Sequence, residues 1–160
     1  SSAASDVYKR QSMSDIVVGV DGSDSSIRAA RWAVAEGLLR SCEVRLINSY
    51  EAPATWLGMG EALGATMTTS ISEDDLRSYS DSVLGDVIEA IDPPDGVRVI
   101  REATMGRAAD VLIAASKGSE MLVLGSRGHG DLGSVLLGST GMHCVHHATC
   151  PVVIVPHGED

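Results

Sequence analysis

Five short apolar runs alternate with longer amphipathic segments along this chain of 160 residues. Short continuous apolar runs bounded by polar turns are typical of strands that are buried on both faces. The runs predict strands over residues 16–20, 44–47, 97–100, 121–124 and 152–155. The third run alternates more strongly with polar residues than the others, which predicts a position nearer an edge of the sheet.

The segments between these strands have apolar residues three and four positions apart, which predicts four helices. The first helix is expected to be capped by Asp24 or Ser25 and to end near residue 39. The others are predicted over about 72–91, 107–116 and 139–147. Strictly alternating strands and helices indicate one parallel sheet with helices on both faces and right-handed crossovers. The pattern therefore predicts a single doubly wound, Rossmann-like α/β domain.

Charge and composition indicate which kinds of partner and which compartment to expect. The formal net charge is −10 and there is no basic run, so a nucleic-acid partner is not expected, because phosphate backbones are bound by clusters of Lys and Arg. No apolar run approaches the length of a membrane span, and the N-terminus lacks the apolar core of a signal peptide. Three cysteines, an odd number, fit a reducing compartment, so we expect a cytoplasmic protein.

The first residues of the chain are polar and show no periodicity up to Met13, which resembles a native start. We predict that residues 1–12 are a disordered or artefactual extension and that residues 13–160 form the domain.

The strongest functional motif follows the fourth predicted strand. Two residues separate Gly125 from Gly128, nine residues separate Gly128 from Gly138, and Ser139 and Thr140 follow directly. Glycines at the exit of a strand leave room for backbone N–H groups to surround phosphate oxygens. Hydroxyl residues that open a helix favour an anion there, because the helix dipole is positive at that end. The motif therefore predicts a site for a phosphorylated ligand.

A second candidate lies after the first predicted strand, where Asp21 opens an Asp-Gly-Ser turn. In open α/β sheets, ligands bind beyond the carboxyl ends of the strands at the point where the strand order reverses. The loops after the first and fourth strands would meet there, which predicts that Asp21 and Gly125 border one crevice. The alternative for Asp21 is a plain turn-forming or helix-capping role.

Together these motifs resemble the universal stress protein family, whose ATP-binding members carry the pattern Gly-2x-Gly-9x-Gly-(Ser/Thr). The resemblance extends from about residue 15 to residue 156 and includes Val-Gly-Val-Asp-Gly-Ser at 18–23 and His-Ala-Thr-Cys-Pro-Val at 147–152. It implies a single doubly wound domain with a five-stranded parallel sheet in the order 3-2-1-4-5. It also implies a homodimer formed through the last strand, Val152–Val155.

The resemblance further implies binding of ATP with Mg²⁺ or Mn²⁺. The two glycines after the fourth strand match positions near the ribose and phosphates, the Gly-Ser-Thr turn matches the triphosphate site, and Asp21 matches the acid near the nucleotide and its cation. Ser49 matches the residue that touches adenine. The residues expected to bind the nucleotide are Gly19, Val20, Asp21, Ser49, Leu124, Gly125, Arg127, Gly128, Gly138, Ser139 and Thr140.

Binding is favoured over efficient catalysis. The sequence contains no Gly-x-x-x-x-Gly-Lys-(Ser/Thr) loop and no Gly-x-Ser-x-Gly elbow, and no general base is apparent, so we assign no catalytic residue and expect at most a slow ATPase. Two alternatives stay open: a dimeric interaction protein of the same fold that binds no nucleotide, and a small nucleotide hydrolase. We also hypothesise that a nucleotide orders the weakly patterned segment 51–70 and the glycine loop.

The last predicted helix carries a cluster of possible metal ligands, namely His143, Cys144, His146, His147 and Cys150. His143 and His147 are four residues apart, so one helix face could present both to a metal ion. A structural zinc site needs four ordered ligands, and the sequence has no Cys-x-x-Cys. Buried cysteines usually serve as small apolar residues. We therefore do not expect a structural zinc site, and whether the cluster binds any metal is left open.

Overall fold

The structure, a computed structural model, describes residues 14–52, 71–127 and 137–158. Strands and helices alternate along these residues: β1 (Asp15–Gly19), α1 (Asp24–Arg40), β2 (Glu43–Tyr50), α2 (Glu73–Ile91), β3 (Val99–Met105), α3 (Ala108–Ala115), β4 (Met121–Gly125), α4 (Ser139–His147) and β5 (Val152–Val155). The strands pair in parallel in the order β3-β2-β1-β4-β5. This arrangement confirms the predicted α/β fold and its strand order.

The central strands are buried on both faces because successive side chains of a strand point to opposite sides of the sheet. Ile16 and Val18 of β1 pack against α1 and α2, whereas Val17 between them packs against the layer of α3 and α4. All three are fully buried. Within the described ranges, no helix combines the length and the apolar character needed to cross a lipid bilayer.

β2 and β3 are longer than the apolar runs that predicted them. The pairing between them continues from Val44 opposite Val99 to Tyr50 opposite Met105. The prediction of a third strand over 97–100 was therefore wrong in its bounds, because main-chain pairing with β2 extends β3 through the polar residues that follow. β3 does lie at an edge of the sheet, as its alternating pattern predicted.

A single arginine connects three strands on the face that carries α3. The guanidinium of Arg45 on β2 donates to Asp15 Oδ2 on β1 at 2.7 Å and to both carboxylate oxygens of Glu102 on β3 at 3.1 and 2.9 Å. It also donates to the carbonyl of Ala115, the last residue of α3, at 3.0 Å. The hydrogen bonds with Glu102 raise the pKa of Arg45 above its ordinary value. The charge is thereby paired where the sheet would otherwise be apolar.

Serines cap the N-termini of α1 and α2. Ser23 caps α1, rather than the predicted Asp24 or Ser25, and its hydroxyl accepts from the N–H of Ser26 at 3.2 Å. The prediction was displaced by one residue because Asp24 already belongs to the first turn, where its charge favours the helix dipole. α2 begins with a reciprocal capping box between Ser72 and Asp75.

Candidate functional site

A cleft of about 540 Å³ opens at the carboxyl edge of the sheet, between the ends of β1 and β4. This is the point where the strand order reverses, and the volume is in the range of small-molecule sites, roughly 300–1,000 Å³. Ten of the eleven residues predicted to bind a ligand line the cleft, and Gly128 lies outside the described residues. The ten are Gly19, Val20, Asp21, Ser49, Leu124, Gly125, Arg127, Gly138, Ser139 and Thr140.

Apolar side chains from three elements line the inner part of the cleft. Ile47 of β2, Leu112 of α3 and Leu124 of β4 are each at most 5% exposed. Gly19 at the end of β1 allows them to meet, because a Cβ at that position would lie 2.7 Å from Leu112 Cδ1 and 2.7 Å from Leu124 Cδ2. The result is an apolar surface suited to a flat, uncharged group.

Asp21 forms the turn that leads from β1 to α1. Its Oδ1 accepts from the N–H of Ser23 at 2.9 Å, and its own N–H donates to Ser26 Oγ at 3.3 Å. Gly22, between them, has a φ of +84°, which favours glycine. Asp21 therefore has the turn-forming role that the sequence left as an alternative, and it also lines the cleft.

The exit of β4 is packed tightly against the first turn of α1. A Cβ on Gly125 would contact Ser25 Oγ and would lie 2.7 Å from the carbonyl oxygen of Ser25. The hydroxyl of Ser25 in turn accepts from the N–H of Arg127 at 3.2 Å. From the sequence, we expected glycine at position 125 because it leaves room for a ligand. In the structure, the space beside its Cα is filled by α1. Glycine at this position therefore has a packing reason of its own.

The N-terminus of α4 faces the same cleft. Gly138 is its N-cap residue, with a φ of −68°, and has no side chain that could cap the helix. Ser139 and Thr140 form the first turn, which carries no acidic residue. Gly141, which costs about 1 kcal/mol relative to Ala inside a helix, is buried, and a Cβ there would lie 2.6 Å from Leu137 Cδ1. Among the described residues, no side chain caps the first N–H groups of α4, and these groups lie at the cleft.

A buried polar network beside the cleft was missed by the sequence interpretation. Asn48, 9% exposed, lines the cleft, and its Nδ2 donates to the carbonyl of Val20 at 2.7 Å. Its Oδ1 accepts from the hydroxyl of Ser80 on α2 at 2.6 Å. The network holds the ends of β1 and β2 together. Ser80 was recognisable, because a serine lies at a helical spacing of four from both Leu76 and Leu84 in the apolar stripe of α2.

The charged groups that line the cleft are predominantly acidic. Among the lining residues that the structure describes, two are acidic, Asp21 and Glu51, and one is basic, Arg127. With a formal net charge of −10 on the whole chain, an anionic ligand would gain from a cation bound beside it.

The histidine and cysteine cluster does not converge on the cleft. The described residues contain no group of three or more His, Cys, Asp or Glu side chains placed to hold one metal ion. Cys42, Cys144 and Cys150 are free thiols. Cys144 is fully buried, and this burial raises the pKa of its thiol to about 11, so it behaves as a small apolar residue.

Comparison with known proteins places this geometry in context. A model of the universal stress protein family matches residues 13–156. A universal stress protein of Mycolicibacterium smegmatis is 37% identical over 147 residues, which are 91% of this chain and 48% of that protein. This chain thus spans about half the length of that relative.

Solved structures agree with the fold. A universal stress protein in complex with cAMP matches with a TM-score of 0.61 at 21% identity, over 89% of this chain and 95% of that one. The universal stress protein of Archaeoglobus fulgidus in complex with dAMP matches with a TM-score of 0.55 at 17% identity, over 89% of this chain and 96% of that one.

Proposed function

This chain belongs to the universal stress protein family, and we propose that it binds ATP together with Mg²⁺ or Mn²⁺ in the cleft between β1 and β4. The observation that carries the proposal is that, among the described residues, an apolar wall, the edge of β2 beyond the end of β1 and a helix N-terminus without a side-chain cap meet around one cleft. Two structural neighbours were solved in complex with adenine nucleotides, cAMP and dAMP, which supports the same class of ligand.

The strand edge at Ser49 supports recognition of adenine. The pairing of β1 with β2 ends at Gly19 and Ile47, and the N–H of Val20 donates to the carbonyl of Ile47 at 2.9 Å. Alternate residues of a parallel strand bond to opposite neighbours, so the N–H and C=O of Ser49 are directed to the β1 side, beyond the end of β1. This pair complements the N1 acceptor and the N6 amino donor of adenine, whereas guanine has an O6 acceptor where adenine has the amino group.

The N-terminus of α4 supports binding of the phosphates. The N–H groups that follow Gly138 and the hydroxyls of Ser139 and Thr140 are donors on the same cleft as the apolar wall. Helix N-termini with uncapped N–H groups attract phosphate oxygens through hydrogen bonds and the helix dipole together. The base and the phosphates of one nucleotide would thus be bound by different elements of the cleft.

The acidic lining supports binding of the nucleotide with a divalent cation. Asp21 and Glu51 would repel a free triphosphate, and Mg²⁺ is usually held by one or two carboxylates together with the phosphates of the ligand. We infer that Asp21 contributes to the cation site. Asp21→Asn keeps an oxygen for the turn to Ser23 and removes the charge, so it should reduce the gain in ATP affinity that Mg²⁺ gives, measured by titrations with and without MgCl₂.

Binding is proposed as the function, with turnover at most slow, because the cleft combines backbone donors and hydroxyls with no histidine among its described lining residues. We infer a cytoplasmic regulatory protein whose state depends on the bound nucleotide.

Isothermal titration of ATP and GTP into tag-free protein in MgCl₂ tests the proposal. ATP should bind at one site per chain and more tightly than GTP. Thr140→Val removes one hydroxyl from the cleft and should raise the Kd for ATP by about tenfold, since one hydrogen bond to a charged group contributes roughly 1.5–3 kcal/mol. Thr149→Val, at an exposed threonine beyond α4, is the matched control. No binding of ATP, or equal affinity for GTP, would contradict the proposal.

We also propose that the chain forms a homodimer through β5. In the described sheet, β5 pairs with β4 and forms an edge, and its four residues are only half-buried. Met142 and Val145 on α4 are 48% and 49% exposed. A second copy pairing along β5 would cover this apolar edge. Light scattering should give twice the chain mass, and Val153→Lys should shift the protein to a monomer; a monomer already in the unmodified protein would refute the dimer.

A further inference from the structure

Two histidines on successive turns of α4 face each other at the surface. The rings of His143 and His147 have centroids 4.5 Å apart and are tilted by 40°. The His143 side chain is 39% exposed, and His147 is exposed. The third histidine of the helix, His146, is exposed in a different direction, and its ring centroid lies 6.4 Å from that of His147. The first pair has the i, i+4 spacing that places two side chains on one helix face, and its rings are closer together than those of His146 and His147.

The separation of the two rings is suited to chelation. Two nitrogens bound to one tetrahedral zinc ion at 2.0–2.1 Å are about 3.3 Å apart. Ring nitrogens lie on the perimeter of each imidazole, so rings with centroids 4.5 Å apart can bring one nitrogen of each to that distance by side-chain rotation. The backbone of α4 need not move.

A carboxylate on the neighbouring helix, which forms an ion pair with Arg107, lies beside the pair. Asp110 Oδ1 on α3 lies 3.9 Å from His143 Nε2. Arg107 holds this carboxylate in place with hydrogen bonds of 3.0 and 3.1 Å, which lower the pKa of Asp110 below its ordinary value. A carboxylate next to a metal-binding histidine is a frequent outer partner, which orients the imidazole ring.

We propose that His143 and His147 form a two-imidazole site for a divalent transition-metal ion such as Zn²⁺ or Ni²⁺. Imidazole nitrogen suits these ions, whereas Mg²⁺ prefers oxygen ligands. The described residues offer no group of three ligands, so water fills the remaining coordination positions and the ion exchanges with solvent. The site is therefore a different kind from the structural zinc site that the sequence argued against, and it is separate from the proposed cation at Asp21.

Titration of the tag-free chain of 160 residues with NiCl₂, and separately with ZnCl₂, in excess MgCl₂ tests the proposal. We expect one ion bound per chain. His143→Ala and His147→Ala should each raise the Kd by more than tenfold, since even loss of an outer partner costs roughly 10- to 100-fold. Asp110→Asn should have a smaller effect in the same direction. His146→Ala, on the same helix but a different face, should leave the Kd unchanged.

Thermal unfolding of each variant without metal checks that α4 is intact, and the added ion should raise the Tm of the unmodified protein but not of the two alanine variants. The proposal is overturned if the double variant His143→Ala/His147→Ala binds the ion as tightly as the unmodified protein. It is equally overturned if His146→Ala or Cys150→Ser abolishes binding. Because these titrations contain no nucleotide, failure of nucleotide binding would not affect either result.

Discussion

The first turns of α1 and α4 both lie beside the cleft, but their N–H groups are satisfied differently. At α1, Ser23 accepts from the N–H of Ser26, and Asp24 adds a negative charge to the first turn. At α4, the N-cap residue is Gly138, and the first turn carries no acid. The N-terminus of α1 is therefore capped by its own side chains, whereas among the described residues no side chain caps that of α4.

The difference indicates where an anion would bind. A phosphate at α1 would have to displace a side-chain cap and lie beside Asp24, whereas at α4 it would meet N–H groups that no side chain of the described residues caps. The helix that follows the first strand is a familiar phosphate site in doubly wound folds. Here the arrangement of caps favours α4, and three substitutions test that comparison, beginning with the largest expected effect.

Ser139→Asp should abolish detectable ATP binding while the domain stays folded. The exposed first turn of α4 tolerates an acid, which the helix dipole favours by about 0.3–1 kcal/mol. A phosphate placed about 4 Å from the new carboxylate would be repelled by roughly 4 kcal/mol at an effective dielectric constant of 20. Isothermal titration should therefore give a Kd raised more than 100-fold with no decrease in Tm.

Ser139→Asn is the neutral control of similar size and should retain most of the affinity. If Ser139→Asp binds ATP as the unmodified protein does, the phosphates do not lie at α4.

Gly125→Ala should lower the free energy of unfolding by about 2 kcal/mol, because forcing an extra carbon into a close contact usually costs 1–3 kcal/mol. The new methyl group would lie 2.7 Å from the carbonyl oxygen of Ser25 in the first turn of α1. Urea denaturation measures the change. Gly85→Ala in α2 is the contrast: its Cβ would meet only Arg101 Nη1, at 3.8 Å, so it should stabilise the protein by up to about 1 kcal/mol. Equal effects of both substitutions on the free energy of unfolding would show that the close packing of β4 on α1 is not the reason for glycine at position 125.

Ser23→Ala should lower the free energy of unfolding by about 1 kcal/mol, the usual contribution of an N-cap side chain. Ser72→Ala at α2 should cost a similar amount, since it also removes a cap. Neither change should alter the Kd for ATP. Tighter binding by Ser23→Ala would mean that the freed N–H groups of α1 hold the phosphates, which would reverse the comparison.

Most of the fold could be predicted from the sequence because the central strands are buried on both faces. The run 121–124, for example, is apolar throughout, so the sequence alone locates the central strand β4. The extent of β3 could not be predicted, because Arg101, Glu102 and Thr104 are polar and belong to the strand only through pairing with β2. At an edge of the sheet, main-chain hydrogen bonds continue where side-chain polarity changes.

For the candidate site, the sequence indicated which residues come together but not all the reasons. The spacing of the glycines predicted that Gly125 and Gly138 belong to one site, and both line the cleft in the structure. That Gly125 makes room for Ser25 depends on a contact between residues 100 apart in the chain, which no local pattern reveals. The hydrogen bond between Asn48 and Ser80 could not be predicted for the same reason, since the two residues lie on different elements.

Arg45 also limits the ways in which the chain can misassemble. A parallel strand that slips by one residue turns every side chain to the other face of the sheet. Such a slip in β2 would move the guanidinium into the layer where Val44 and Leu46 are now completely buried, away from both Asp15 and Glu102. The ion pairs therefore favour the correct register of β2. Only in that register does Arg45, the one charged residue in the middle of β2, pair with both Asp15 and Glu102.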